Sequence, residues 1–329
     1  MSFCKALLAG SLLLLLVGPN LHADVSTANQ ALQQGQVERA ASLLRPWLSD
    51  HPADSQAHLT LCRVFYAQEL VNGAVMECDA AAMGSSNTSE VQLWLGRAYG
   101  MKASSANPLV AFSTARKVRD AFELAVRLDP SNLAAMSDLG EFYVEAPAIV
   151  GGGLDKARQL AGRLRSINTP ASTAQSHRIL GLIAEKEKDF SKAETEYRQA
   201  SVGNLPGAWI DLGGFYARRH QFDLAEAAVQ SAVKLDPGRD AILVDAASVL
   251  TEAHRSLELA RQLLSAYIAS PNTSDAAPVF KVHLQLGELL TQAGDPASAR
   301  KEFELAARMA PNFPAARKAQ PHPSQPGRQ

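Results

Sequence analysis

The sequence has little net charge and few aromatic residues. Its 329 residues include 32 Lys and Arg against 33 Asp and Glu, which gives a formal charge of −1. Without an overall basic field or a polybasic run, neither nucleic acid nor anionic lipid is an expected partner. Aromatic residues make up only 6% of the chain, and no long alternating stretch is present, which argues against a β-sandwich.

Sequence motifs for catalysis and metal binding are also missing. There is no HExxH, no Cys/His group with zinc-ligand spacing, no GxxxxGK[ST] and no GxSxG. Gly151, Gly152 and Gly153 precede a predicted helix, but Asp155 would repel a phosphate there, so an elongated turn is the better interpretation. We therefore expect no enzymatic activity, no cofactor and no metal site.

A single apolar run lies near the N-terminus. Lys5 precedes residues 6–17, which are apolar, and residues 18–20 break the run before Ala23. This order is typical of a signal peptide covering residues 1–23, because a spanning helix needs about 20 apolar residues. We expect a mature chain that begins at Asp24, is exported to the periplasm or secreted, and has no transmembrane span after cleavage.

The clearest pattern in the chain lies between residues 206 and 238. Small and apolar residues recur there at helical spacing on both sides of a turn, at Trp209, Leu212, Gly213, Tyr216, Ala225, Val229 and Ala232, and Pro237 is expected to end the second helix. Residues at i, i+3, i+4 and i+7 share one helical face, and the small ones let two antiparallel helices approach closely. The order W-x2-L-G-x2-Y…A…P over about 34 residues resembles the tetratricopeptide repeat, or TPR.

The same period covers nearly all of residues 24–319. Repeats are expected near residues 24–54, 55–88, 89–132, 133–173, 174–205, 206–239, 240–273 and 280–313. The resemblance implies an all-α, right-handed superhelical solenoid of about eight helix-turn-helix repeats, without a second domain. The alanine-rich composition and compact signal are typical of an exported bacterial member. The polar, proline-rich tail at 320–329 is expected to be disordered.

The third and fourth repeats are longer than the others. In the third, Pro130 follows Gly96 by 34 residues, whereas in the plain sixth repeat Pro237 follows Gly213 by 24. The fourth is lengthened within residues 145–153. We expect both insertions to lengthen the turn between the two helices of a repeat and to emerge side by side.

Apolar residues in these insertions leave two interpretations open. Phe112 and Ile149 would be costly in water, so they should be covered. They either cover each other as a lid, or form the apolar lip of a ligand site. The lip would suit a small-molecule-binding periplasmic protein whose pocket the insertions close.

The resemblance also implies that the first helices of the repeats line a concave groove. The positions that face into it include Arg63, Tyr66, Arg97, Glu141, Arg178, Leu182 and Glu185. Arginine beside tyrosine and leucine suits a protein or peptide ligand, although the mixture also fits an ordinary solvated face. The lysine and asparagine clamp of chaperone-binding members is missing. We therefore expect a non-catalytic scaffold for a protein or peptide in the cell envelope.

Two cysteines are candidates for a disulfide. Cys4 leaves with the signal peptide, so Cys62 and Cys78 remain, and their midpoint is residue 70, where the turn of the second repeat is expected. Residues equidistant from a turn lie at the same height on facing helices, so we predict a disulfide, with two reduced core thiols as the alternative.

Three histidines occupy the same position of different repeats. His58, His177 and His283 are too far apart to share a metal ion, and we expect each to pack with one polar tip in solvent.

Overall fold

We describe the protein from a computed structural model, for residues 25–84, 86–236, 238 and 240–319. The predicted signal peptide with its cleavage at Asp24, the helix-ending role of Pro237 and the tail at 320–329 lie outside these residues.

All regular elements of this described part are helical. The α-helices are α1 (Val25–Gln33), α2 (Val37–Asp50), α3 (Ser55–Ala67), α4 (Val71–Met83), α5 (Ser89–Ser105), α6 (Pro108–Leu128), α7 (Leu133–Glu145), α8 (Leu154–Ile167), α9 (Pro170–Lys186), α10 (Phe190–Ser201), α11 (Pro206–Arg218), α12 (Phe222–Leu235), α13 (Ile242–Glu252), α14 (Leu257–Ile268), α15 (Val279–Gln292), α16 (Pro296–Met309) and α17 (Pro314–Ala319). None of these helices has the length and apolar character needed to cross a membrane.

Helices α1 to α16 form eight consecutive pairs, and each pair packs on the next. The first helices of the pairs contact one another in the series α1, α3, α5, α7, α9, α11 and α13, so they form one continuous inner layer. The fold is an all-α superhelical solenoid, as the sequence period predicts.

Local sequence explains where many of the helices begin and turn. Asp54, Asn132 and Asp295 each accept a hydrogen bond from the backbone of the first helical turn. Six of the turns place at least one residue in the left-handed region, at Gly35, Glu69, Lys188, His220, His254 and Gly294. The fifth repeat begins at Pro170, ahead of the expected boundary at residue 174, because Thr169 and Ser172 form a capping box there.

The insertion in the third repeat differs from the expectation. It does not lengthen the turn: α5 and α6 grow to 17 and 21 residues, and only Ala106 and Asn107 separate them. Asn107 accepts a hydrogen bond from the Val110 backbone and Pro108 occupies the first helical position, so a new helix starts at once.

The insertion in the fourth repeat is an elongated turn, as predicted. A 3-10 turn at Ala148–Val150 is followed by Gly151 and Gly153, whose φ angles are +100° and +147°. Only glycine adopts such angles readily, which gives the glycine run its structural role.

The first and last repeats of the solenoid also contact each other. Side chains of α1 to α3 and of α15 to α17 share one buried cluster, which includes Leu32, Leu61, Phe280 and Phe313. Asn312 Nδ2 donates to Glu38 Oε1 at 2.9 Å across this junction. The solenoid therefore closes on itself.

Candidate functional site

A cavity of about 730 Å³ lies on the inner layer where α3, α5, α7 and α15 meet. Its lining combines aromatic rings, carboxylates and two cations: Tyr66, Phe122, Phe142, Glu69, Asp138, Glu141, Glu145, Arg97 and Lys281. Met101 and Ser104, on the extension of α5, also line it. Three of the groove residues predicted from sequence, Tyr66, Arg97 and Glu141, are thus brought together.

The ring of Trp94 contacts side chains of both α3 and α5 beside the cavity. The guanidinium carbons of Arg63 and Arg97 lie 5.3 and 4.8 Å from the centre of its ring, a cation–π geometry. The ring of Tyr66 meets Trp94 edge-on at 5.4 Å, and burial raises the pKa of the Tyr66 hydroxyl. Trp94 was missed in the sequence analysis, because the expected groove positions fall on its neighbours.

Charged side chains of the inner layer pair with one another along the solenoid. Successive first helices are joined by Arg97 to Asp138 at 2.7 Å, Arg178 to Glu141 at 2.8 Å and to Asp211 at 3.2 Å, and Arg218 to Glu185 at 2.8 Å. The predicted residues Arg97, Glu141, Arg178 and Glu185 therefore face the groove, but each already has an internal partner. In the sequence, each of these arginines lies 33 to 41 positions from its carboxylate partner, which is about one repeat. That spacing was the signal that could have predicted the ion pairs.

Leu182 borders a smaller hollow further along the groove. This hollow, of about 450 Å³, is also lined by Arg178, Glu185 and Arg218. The predicted groove residues thus extend over two adjoining depressions, which share Glu141 and Glu145.

Two carboxylates further along the groove have raised pKa values. Burial raises the pKa of Asp211, although Arg178 opposes the change. Desolvation within the concave face, with repulsion from Asp211 and Asp240, raises the pKa of Asp245 to about 6. Both carboxylates line a hollow of about 480 Å³ together with Gln175 and Ser248.

Hydrogen bonds between an aromatic or imidazole ring and a carboxylate recur within and between helix pairs. The Nδ1 atoms of His58, His177 and His283 lie 2.7, 2.7 and 2.6 Å from glutamate oxygens of Glu77, Glu196 and Glu302, each 19 positions later. The polar tips of the three histidines thus bind glutamate, which sequence reasoning missed.

Tyrosine hydroxyls make the same kind of contact with carboxylates. Tyr143 donates to Glu123 at 2.9 Å and Tyr216 to Glu194 at 2.9 Å. Burial and the Glu194 hydrogen bond raise the pKa of Tyr216 to about 12. These contacts are structural, and no group of three or more His, Cys, Asp or Glu side chains suited to a metal ion occurs in the described part of the chain.

A disulfide joins Cys62 of α3 to Cys78 of α4. Their Cα atoms lie 5.2 Å apart, and both side chains are fully buried. The bond links the two helices of the second repeat directly behind the wall that carries Arg63 and Tyr66.

The apolar residues of the insertions lie away from the cavity. Phe112 and Ile149 are 37% and 68% exposed, and neither lines the cavity. The guanidinium carbon of Arg116 lies 4.8 Å from the centre of the Phe112 ring. Val150, only 3% exposed, is the covered residue of the second insertion, and its carbonyl accepts a hydrogen bond from Arg119 at 3.3 Å.

These features define a class: a helical repeat solenoid with a groove along its inner helices. Models of the tetratricopeptide repeat family match residues 26–90 and 280–313. These two stretches carry tetratricopeptide repeats, and the eight helix pairs have the fold of a tetratricopeptide repeat protein.

Several solved structures are similar to this chain. Yeast Tom70 is similar with a TM-score of 0.53 and 16% identity, over 92% of this chain and 64% of that one. A tetratricopeptide repeat protein from Parabacteroides merdae gives a TM-score of 0.45 and 10% identity, over 91% and 96% of the two chains. A thermophilic TPR protein of Thermus thermophilus gives 0.42 and 20%, over 64% and 98%. The comparison with curated proteins gave no match.

Proposed function

We propose that the protein is a non-catalytic scaffold whose inner layer holds a segment of a partner protein. The observation that carries this proposal is the cavity of about 730 Å³ between α3, α5, α7 and α15. Aromatic rings and Arg97 line it, and aromatic residues and arginine are the residue types that dominate binding energy in protein interfaces. Tetratricopeptide repeats in general serve as platforms for protein partners.

The ion pairs of the groove determine which side chains of a ligand can contribute to binding. Arg97 and Glu141 already have internal partners, so a ligand gains little from exchanging one ion pair for another. A side chain that fills the space between Tyr66 and Phe142 buries apolar area without that exchange. We therefore expect an apolar or aromatic anchor residue in the bound segment, with polar groups meeting the exposed carboxylates.

Two glycines offer a matched test of this site. Gly100 lines the cavity, and a Cβ added there meets nothing within 4 Å. A Cβ on Gly162, on the exposed side of α8, also meets nothing within 4 Å. Gly100→Trp should therefore fill the cavity without disturbing the fold, and Gly162→Trp should add the same side chain elsewhere.

The experiment selects peptides from a displayed random library on the wild-type protein and measures their affinity for both variants. We expect Gly100→Trp to weaken binding about tenfold or more, since one buried anchor is worth at least 1–2 kcal/mol, and Gly162→Trp to leave it unchanged. Equal affinities for wild type and Gly100→Trp would contradict the site. A strong thermal shift with a metabolite, with no peptide selected, would contradict the class of ligand.

We also propose that the chain is exported to the cell envelope. The order of charged, apolar and small residues before Asp24 supports export, and the disulfide between Cys62 and Cys78 suits an oxidising compartment. N-terminal sequencing of protein from native cells tests this proposal. A start at Asp24 is expected, and a retained Met1 or Ser2 would contradict it.

A further inference from the structure

The junction between the two ends of the solenoid has a polar edge, where the second repeat meets α15 and the loop before it. Arg63 Nε donates to Asp275 Oδ2 at 2.9 Å, and Lys281 Nζ donates to Glu69 Oε1 at 2.7 Å. Each pair joins residues 212 positions apart. We name these two ion pairs, together with the approach of Gly35 to Val279, the closure contact.

Gly35 makes the apolar part of the closure contact possible. A Cβ placed on Gly35 would lie 3.3 Å from the Val279 backbone nitrogen and 3.4 Å from its Cβ. The equivalent turns of other repeats carry Glu69, Lys188 and His220 in the same left-handed conformation. A long side chain at residue 35 would meet the start of α15, so the glycine permits the two ends to touch.

The closure contact is also part of the cavity wall. Glu69 and Lys281 both line the cavity of about 730 Å³. The other parts of that wall come from α3, α5 and α7, which are successive first helices and pack directly on each other. One side of the cavity therefore depends on a contact between repeats that are not neighbours in the chain.

The junction of the two ends is weaker than the packing of successive repeats. Side chains of α1 to α3 and of α15 to α17 share a buried cluster there, but no two helices across the junction pack as closely as the helices of successive repeats. The side chains of Lys281 and Glu69 are 32% and 50% exposed, so water and salt screen their attraction. The Arg63–Asp275 pair is more covered, at 12% and 13%. In a solenoid each repeat is stabilised by its sequence neighbours, so the ends can separate while every helix pair stays folded.

We infer that the closure contact is a latch: it opens and closes in solution, and its opening widens access to the cavity. This inference concerns the protein alone and holds whether or not the partner is a peptide. In this inference Asp275 and Lys281 hold the two ends of the solenoid together, which is a role distinct from contacting a ligand.

The first measurement follows the distance between the two ends. Spin labels on Ser49→Cys of α2 and Arg308→Cys of α16, both at exposed positions, are introduced with Cys4→Ser and with the Cys62–Cys78 disulfide kept oxidised. D275N/K281Q removes both ion pairs of the latch. The control D211N/K186Q makes the same change of charge at pairs between successive inner helices, Arg178–Asp211 and Lys186–Glu145.

We expect a short and a long distance population in the wild type. The long population should grow about fivefold in D275N/K281Q, as two weak ion pairs predict, and should stay unchanged in D211N/K186Q. It should also grow in the wild type when NaCl is raised to about 0.5 M, because screening weakens the same pairs. This salt series needs no substitution in the latch, so it decides the question even if D275N/K281Q folds poorly. One distance in every variant and at every salt concentration would overturn the latch.

The second measurement tests access. Gly100→Cys places a thiol in the cavity, and its rate of reaction is measured with a small maleimide and with a polymer-linked one. Opening the latch should raise the rate of the bulky reagent about fivefold in D275N/K281Q but not in D211N/K186Q, with the small reagent unaffected in both. If the ends separate but the bulky reagent reacts equally in both variants, the gating role is wrong.

Discussion

At the scale of single residues, glycine sets how closely the two helices of a repeat approach. A Cβ on Gly96 would lie 2.4 Å from the ring of Phe122, and one on Gly287 would lie 2.4 Å from the ring of Phe303. Such distances are shorter than atoms tolerate, so the aromatic ring of the second helix occupies the space that the glycine leaves. At Gly213 the nearest atoms are 3.4–3.5 Å away, which is ordinary contact.

Substitution by alanine should therefore have opposite effects at two equivalent positions. Gly96→Ala should lower the free energy of unfolding by about 1–3 kcal/mol, because Phe122 is buried and must shift. Gly213→Ala should raise it by up to about 1 kcal/mol, since alanine favours a helix interior and nothing has to move. Denaturant unfolding of both variants measures the difference, and a loss of stability at Gly213 equal to that at Gly96 would contradict it.

The charged groove residues show what a pattern of positions can and cannot predict. The repeat period placed Arg97, Arg178 and Glu185 on the inner layer. It did not predict that their charges are satisfied by Asp138, Asp211 and Arg218 on the next repeat. Position within a helix follows from periodicity, whereas pairing depends on how far successive repeats rotate, and that rotation is set by packing.

At the scale of elements, the two insertions follow different physical rules. The first insertion extends α5 and α6. Helix-compatible residues continue to Ser105, and Asn107 and Pro108 then start a new helix. The second cannot be helical, since Gly151 and Gly153 have positive φ. A Cβ on Gly152 would lie 1.8 Å from the carbonyl oxygen of Ala146, so this turn requires glycine there.

Neighbouring residues of the second insertion should respond differently to truncation. Val150 is 3% exposed and Ile149 is 68% exposed. Truncation to alanine therefore removes mostly buried apolar surface at Val150 and mostly exposed surface at Ile149. We expect Val150→Ala to lower the free energy of unfolding by about 1–2 kcal/mol and Ile149→Ala to change it by less than about 0.5 kcal/mol. Thermal and denaturant unfolding of the two variants provide the comparison. Equal losses would mean that Ile149 is covered, as the lid interpretation requires.

The second repeat should depend on its disulfide. The Cys62–Cys78 bond closes a loop with a sequence separation of 16 residues, and a loop of that size is worth about 3 kcal/mol in the chain-entropy model. The double variant C62A/C78A should be destabilised by that order in denaturant unfolding of the exported protein. Thiol counting in denaturant on exported protein checks the bond itself, and two free thiols from these positions would refute it.

At the scale of the whole molecule, the repeat period predicts the fold but not its closure. Each helix pair follows from local spacing, caps and turns, all of which lie within about 34 residues. The junction of Arg63 with Asp275 and of Gly35 with Val279 joins the two ends of the chain. Such a contact results from small rotations accumulated over eight repeats, and no local pattern in the sequence records that sum.

Closure can be trapped covalently. Because a Cβ on Gly35 lies 3.4 Å from that of Val279, near the separation of about 3.5–4.5 Å found in disulfides, the variant G35C/V279C should form an intramolecular bond under mild oxidation. Cysteine should fit at residue 35, because the equivalent turns carry Glu69, Lys188 and His220 in the same conformation. Intact mass and faster migration in a non-reducing gel identify the bonded monomer.

The single variants G35C and V279C, each with Cys4→Ser, serve as controls and should remain monomers with one free thiol. The oxidised double variant should also resist unfolding better than its reduced form, by about 5–6 kcal/mol in the chain-entropy model, since the bond closes a loop of roughly 240 residues. Mixed disulfides between molecules, without the bonded monomer, would place the two ends apart in solution. Formation of the bond with no gain in stability would mean that the ends meet but that the bond strains the turn at residue 35.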